Sequence, residues 1–265
     1  MVSVDMITYN HEPYIAQAIE GVLMQKTNFK FELVIGEDCS TDRTREICIE
    51  YQKKYPEIIK LLLPEKNLGV VKNGDRTIKA CTGKYIALCE GDDYWTDPLK
   101  LQKQVDFMEA NNDYSMCFHN AYVINKRTNE KKLFNEKKIK STITPRDVIL
   151  KPWFTPTASF LFRKEGYPLD ALWSDVNGDM QLLFINSTLG KIHYMDEVMS
   201  VYNLFSSNTS LSNRLYLNYK TMYQKKINLL NEFDKFTRNR YKIYTTVKRA
   251  GIYIRILQKR LFTVM

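Results

Sequence analysis

The sequence predicts an α/β chain: a doubly wound, mainly parallel sheet flanked by helices, followed by a C-terminal helical extension. Three observations carry that expectation. Short apolar runs alternate with helical segments of about a dozen residues through the first third of the chain, the pattern of βαβ units. Acids follow two of those runs directly, as Asp38 and as the group Glu90, Asp92 and Asp93. Beyond residue 213 the chain turns strongly basic and loses its strand signals. In open α/β sheets ligands bind outside the carboxyl ends of strands, so both acidic groups are expected at one functional edge.

The elements follow in order. Val2 to Ile7 reads as a strand. Thr8-Tyr-Asn-His-Glu-Pro13 is a turn with proline near the start of a helix that carries Ile15, Ala18, Ile19, Val22 and Leu23 on one face. Phe31 to Gly36 is the second strand; it ends in Glu37-Asp38 and runs into Ser40-Thr-Asp42, good N-cap residues for a helix holding Ile47 and Tyr51. Ile58 to Leu63 is a third strand, Asn67-Leu-Gly69 a turn, Lys72 to Cys81 a helix with Gly83 past its end, and Tyr85 to Cys89 the fourth strand. That strand ends in three carboxylates within four residues. Such neighbours repel unless a divalent cation or polar ligand draws on them, and hard cations take oxygen ligands with substrate phosphates completing the shell. Solvated loop acids or a helix cap are the plainer alternative.

Downstream, Tyr114 to Phe118 reads as an apolar strand, Lys126 to Lys140 as a charged surface loop, and Thr142 to Lys151 as a short helix. Trp153 to Phe162 reads as a turn into a strand, with Trp153 and Thr155 to Thr157 offered either to an acceptor site or to the core. His11, His119 and His193 show no local metal-binding spacing and are left out of the site.

The set Ile7-Thr-Tyr-Asn10, Gly36-Glu-Asp-Cys-Ser-Thr-Asp42, Asn67-Leu-Gly69 with Asn73, and Glu90-Gly-Asp-Asp93 resembles the nucleotide-binding half of family 2 glycosyltransferases with the GT-A fold. Gly178-Asp-Met-Gln-Leu-Leu-Phe184 and Gly190 to Tyr202 are similar to that family's acceptor-side helix and following strands, extending the likeness over about residues 2 to 210. The resemblance implies a GT-A catalytic domain at 1–213, divided into a nucleotide-binding half, 1–97, and an acceptor half, 98–213, with a basic helical extension at 214–265. It implies that Asp38 accepts from the uracil of a UDP-sugar while Thr8, Tyr9 and Asn10 line the base pocket and Asn73 joins the donor contacts. Asp92 would face the ribose and sugar, and Asp93, with or without Asp92, would hold Mg2+ or Mn2+ against the diphosphate. Asp179 would be the general base of a single, inverting displacement onto a hydroxyl of a glycan or lipid-linked acceptor in bacterial surface polysaccharide synthesis. Three positions depart from the pattern. Cys39 stands where a glycine is common, Glu90 replaces an aspartate and is read as a bracing residue, and Gly178 replaces the acid before the base. The plain reading of Asp179 is a helix N-cap.

Composition fits a single large α/β core. The chain has 265 residues, 39 Lys and Arg against 30 Asp and Glu, and a net charge of +9. No run of about 18 apolar residues is present, so no membrane-spanning helix is expected. A core strand begins at once, leaving no room for a signal peptide. Cys39, Cys48, Cys81, Cys89 and Cys117 form no Cys-x-x-Cys pair, which suits a reduced, cytoplasmic setting and discounts the glycosylation pattern Asn208-Thr-Ser210. Residues 214–265 hold 13 Lys and Arg against Glu232 and Asp234, a net of +11, whereas residues 1–213 carry a net of −2. In that tail Val247, Ala250, Ile254, Leu257 and Leu261 recur at helical spacing, with Lys248, Arg249, Arg255, Lys259 and Arg260 largely opposite. The stripe is expected either on an anionic membrane surface, at the inner face of the cell membrane, or packed on the catalytic domain.

Other chemistries fit less well. No Gly-x-Gly-x-x-Gly follows a strand, Thr82-Gly-Lys84 lacks the rest of a P-loop, and no Gly-x-Ser-x-Gly elbow exists. No groove-reading nucleic-acid motif accompanies the basic tail. A sugar-1-phosphate nucleotidyltransferase and a catalytically silent GT-A-like binding protein stand as alternatives; the first wants a glycine-rich, Arg-containing loop where Thr8 to Pro13 stands, and the second is opposed by retention of Asp38, Asp93 and Asp179. Processive members of the family carry Gln-x-x-Arg-Trp and membrane spans, and their absence from the sequence favours transfer of one sugar per acceptor.

Overall fold

The computed structural model describes residues 1–170, 178–206 and 219–263. Its strands are β1 (Val2–Thr8), β2 (Phe31–Glu37), β3 (Ile59–Leu62), β4 (Tyr85–Leu88), β5 (Tyr94–Trp95), β6 (Tyr114–Asn125), β7 (Lys131–Leu133), β8 (Thr142–Ile143), β9 (Leu161–Arg163) and β10 (Lys191–Leu204). The helices are α1 (Ile15–Leu23), α2 (Thr44–Lys54), α3 (Val70–Ala80), α4 (Lys100–Ala110), α5 (Pro145–Leu150), α6 (Gly178–Leu189), α7 (Tyr219–Phe236) and α8 (Lys242–Thr263). All ten strands join one sheet in the order β3-β2-β1-β4-β9-β6-β10-β5, with β7 on β6 and β8 on β10. The first four pair in parallel, β9 runs antiparallel between β4 and β6, and β6 and β10 are again parallel.

Side-chain alternation explains why both faces of this sheet are covered. Val2, Val4 and Met6 of β1 join Leu33, Ile35, Tyr85 and Ala87 on one face, where α1 and α4 add Ile15, Ile19, Leu101 and Met108. The intervening Val34, Ile86 and Leu88 look the other way, into a cluster with Leu183 and Phe184 of α6 and Ile227, Leu230 and Phe233 of α7. Strands apolar on both faces are what a parallel sheet between helix layers requires. Trp95 of β5 is fully covered, its Nε1 donates to the Ala158 carbonyl at 2.8 Å, and α1 lies so close that a Cβ on Gly21 would stand 2.9 Å from the Trp95 amide.

Most expected elements stand within one or two residues of their sequence bounds. Helix α3 starts at Val70, two residues early, directly after Gly69 at φ 82°. The charged stretch 126–140, expected as a surface loop, contains the return strand β7, whose Leu133 pairs with Tyr122. Its three residues are too short for an alternation signal, and Lys131 and Lys132 remain exposed as the sequence suggested. The segment 142–151 is strand β8 followed by α5, which Thr144 and Asp147 start as a capping box. The C-terminal helices share the main core: Phe233 meets Phe184 edge-on at 5.0 Å and stacks near Tyr241 at 5.6 Å. The pattern Asn208-Thr-Ser210 lies outside the described residues.

Candidate active site

The carboxyl ends of β1, β2 and β4 form the site floor. Thr8 closes β1; it is buried, and its Oγ1 lies 3.2 Å from His11 Nδ1. Asn10 adopts φ 55°, in the left-handed region that Asn tolerates, and its Oδ1 accepts from the Thr41 amide at 2.8 Å while its own amide donates to Ser40 Oγ. This ties the turn after β1 to the turn after β2. Tyr9 and Asn10 are partly exposed at the rim. Gly91 is required by close approach: its amide donates to the Ile7 carbonyl, and a Cβ there would stand 2.6 Å from Thr8 Oγ1.

Asp38 is buried after β2. Its two carboxylate oxygens accept from the amides of Leu68 and Gly69 at 2.8 and 2.9 Å, and its carbonyl accepts from Asn67 Nδ2. Each carboxylate oxygen still keeps a lone pair. Cys39 sits at φ 59°, the left-handed conformation that a glycine takes freely. Asn73 is 2% exposed and committed inward: Nδ2 donates to the Gly36 carbonyl and Oδ1 accepts from Arg76 Nε. Glu37 is fully buried and accepts from the Ser40 amide and from Arg45 Nε at 2.5 Å. Arg76 and Arg45 thereby brace the turn that carries Asp38.

After β4 the acids diverge in environment. Asp93 is 1% exposed; Oδ1 accepts from the Asn203 amide of β10 at 2.9 Å, and Oδ2 is buried without a partner. Burial, then the charges of Asp92 and Glu90, push its carboxyl far above the usual range. This is not the open strand-end position that its place in the sequence suggests. Asp92 is partly exposed, its Oδ2 accepting from Ser206 Oγ at 2.5 Å and lying 3.8 Å from His11 Nε2. Tyr14 completes this corner by donating to the Ser206 carbonyl at 2.8 Å. Glu90 is pushed far up by burial and by the charges of Asp92, Asp179 and Asp5, so acids from β1, β4 and α6 share one region.

Asp179 lies in the first turn of α6. Its Oδ1 accepts from the Met180 amide at 2.7 Å and its Oδ2 from Thr157 Oγ1 at 3.3 Å, and burial raises its pKa. That amide belongs to the next residue and Asp179 stands inside α6, so the bond is not the N-cap contact of the plain reading, while Thr157 comes from the segment before β9. His119 is fully buried, and burial and the Lys100 charge hold it neutral. Sequence reasoning missed His11 and Ser206. His11 sits inside the Thr8 to Pro13 turn, but Ser206 reaches Asp92 from 114 residues away, with no local signal.

Among the described residues no three His, Cys, Asp or Glu gather into a metal cage. Mg2+ is usually held by one or two carboxylates with substrate phosphates supplying the rest. Adjacent Asp92 and Asp93, the second with an orphaned buried oxygen, fit that donor set.

Comparison with known proteins gives the family and the fold. The family model described as glycosyl transferase family 2 matches residues 3–167. An uncharacterized protein of Mycobacterium tuberculosis is 36% identical over 200 residues, 76% of this chain and 58% of the relative, so the chain spans little over half of that protein. The Escherichia coli UDP-Glc:alpha-D-GlcNAc-diphosphoundecaprenol beta-1,3-glucosyltransferase WfgD is 28% identical over 198 residues, 70% of this chain and 73% of the relative. Among solved structures, Staphylococcus aureus TarS in complex with UDP-GlcNAc superimposes with a TM-score of 0.62 at 21% identity, covering 87% of this chain and 66% of that one. That likeness shows the fold, a GT-A type α/β sheet.

Proposed function

The chain belongs to glycosyl transferase family 2, and from that premise we propose that it moves a sugar from a UDP-sugar to a hydroxyl of a glycan or lipid-linked acceptor, with inversion, in surface polysaccharide synthesis. The observation that supports this reading best is that the Asp38 turn and the loop of Asp92 and Asp93 both bond to the end of β1, through the Asp38 and Gly91 amides, while Glu90 of that loop feels the charge of Asp179 from α6. Asp38, fixed by two amides, offers remaining lone pairs to a donor N–H such as uracil N3. Thr8, Tyr9 and Asn10 form the adjoining rim, and Asn73 contributes by holding the Gly36 backbone behind Asp38.

Asp92 and Asp93 would hold Mg2+ or Mn2+, which when bound neutralises charge gathering on the leaving diphosphate. The chain's own residues set up the rest. Asn203 fixes one oxygen of Asp93, and Ser206 and His11 hold one oxygen of Asp92. Asp179 would take the acceptor proton: burial raises its pKa, which strengthens it as a base, and Thr157 and the Met180 amide fix its direction. The alternatives of nucleotidyl transfer and of a silent binding protein gain no observation here.

The test is transfer from a panel of UDP- and GDP-sugars to acceptor extracts, with Mg2+ or Mn2+ and with chelator, and NMR of the product's anomeric centre. UDP-dependent transfer with inversion is expected. A retained configuration sinks the single displacement, and GDP preference sinks the uracil role.

A further inference from the structure

Helix α8 has two apolar faces, and only one is used. Thr245 and Ile252 are buried toward α5 and α7, Lys248 Nζ donates to the carbonyls of Leu150 and Lys151, and Arg249 pairs with the buried Asp234 at 2.8 Å. The opposite face presents Ile243, Val247, Ile254 and Leu257, exposed by 78, 59, 56 and 58%, with exposed Ala250 between them. Their spacing of four, three, four and three residues makes one continuous stripe. Tyr253 stands beside it at 52% exposure. From Val247 to Leu257 the stripe seen in the sequence therefore does not pack on the catalytic domain, and the Leu261 side chain lies outside the described residues.

Charge decides what covers it. Residues 242–263 contain six Lys and Arg and no Asp or Glu. Two copies paired through this stripe would bring like charge against like charge, with no acid on either helix to offset it. Arg238, Arg240, Lys242 and Arg255 are exposed on α8 and the turn leading into it. An acid-free apolar stripe with a tyrosine at its margin and cations around it is the make-up of a helix that lies in a bilayer interface. No helix among the described residues is long and apolar enough to cross a membrane. We propose that the outward face of α8 seats this protein on an anionic lipid bilayer, Ile243, Val247, Ile254 and Leu257 entering the acyl boundary and the surrounding Lys and Arg meeting lipid phosphates. This seat stands apart from the choice of sugar donor.

The test is co-sedimentation of the full chain with phosphatidylglycerol-containing vesicles and with pure phosphatidylcholine vesicles, for the wild type and for the double variant Ile254→Asp, Leu257→Asp. Both positions are exposed, so the variant's melting temperature is expected to match the wild type, and Val247→Asp serves as a second probe if it does not. The wild type is expected on anionic vesicles at low salt, weakening as salt rises, with partitioning reduced by about tenfold or more in the variants. Equal partitioning of wild type and variants overturns the proposal, as does a wild type that ignores anionic vesicles or prefers neutral ones. A wild-type dimer, detected by light scattering and abolished by the same substitutions, also overturns it, because a second copy is then the occupant.

Discussion

At the residue scale the adjacent acids Asp92 and Asp93 do different work, and their variants should separate. Asp92→Ala removes a partly exposed carboxylate; transfer should collapse while the melting temperature stays near that of the wild type. Asp93→Ala also strands the Asn203 amide, and an unsatisfied buried group costs about 1–3 kcal/mol. That variant should lose both activity and stability in a thermal melt; an Asp93→Ala protein as stable as the wild type would show that β10 does not depend on this carboxylate. Asp179→Asn keeps the amide bond and the size but cannot take a proton, so the transfer rate should fall by about 10² to 10⁴ with donor affinity unchanged in calorimetry. Lys100 gives a pH signature. It is fully buried, its Nζ bonded to Gln104 Oε1 and 3.9 Å from the Trp95 ring centre, and burial lowers its pKa to about 7 from an ordinary 10.5. Between those values the unfolded chain holds a proton that the native chain lacks, so stability rises with pH; below 7 both hold it and the burial cost is complete. Lys100→Met removes this dependence. Relative to the variant, the wild type should gain about 2 kcal/mol between pH 6 and pH 9 in urea titrations. An unchanged gap would mean that Lys100 stays charged.

At the element scale, the parallel strands and their helices were legible because each is a short, regular pattern. Strand β1 buries Val2, Val4 and Met6 in one core, and α1 carries one apolar face, so bounds and burial agree with the sequence reading. Element β5 could not be read: two residues give no period, and its place depends on pairing with Ser200 and Val201 of β10. The same limit hid the surroundings of Asp93. Its burial depends on Asn203, brought alongside by the long pairing of β10 with β6, and no local window shows that contact. The motif named the acids, but the fold decided which of them faces solvent. Helix α7 offers an element-level test. Phe233 is fully buried against Phe184 of α6, and truncating such a side chain costs about 3–5 kcal/mol. Phe233→Ala should lower the urea midpoint accordingly, and because α6 carries Asp179 it should also reduce transfer well below the denaturation range. A variant that melts early yet transfers at the full rate would show that α7 supports stability without positioning the base.

At the scale of the whole molecule, the basic tail looked like an appendage because charge and strand signals change together near residue 213. Packing tells otherwise. Helix α7 contributes Tyr223, Ile227, Leu229, Leu230 and Phe233 to the core beneath the sheet, whereas α8 contributes Ile252 and seals one corner. Removing the two helices therefore has unequal consequences. Deleting residues 214–265 uncovers an apolar face of α6, and the shortened chain should lack a cooperative thermal transition. Deleting residues 242–265 keeps that face covered but takes Thr245, Lys242 and Arg249 from Asp234 and opens its carboxylate to water. The chain 1–241 should consequently fold at a lowered melting temperature and transfer sugar to a soluble acceptor, and Asp234→Asn should change that temperature little because the carboxylate is then hydrated. If chain 1–213 melts cooperatively near the wild-type temperature, the catalytic unit closes without α7 and the tail is an independent extension after all.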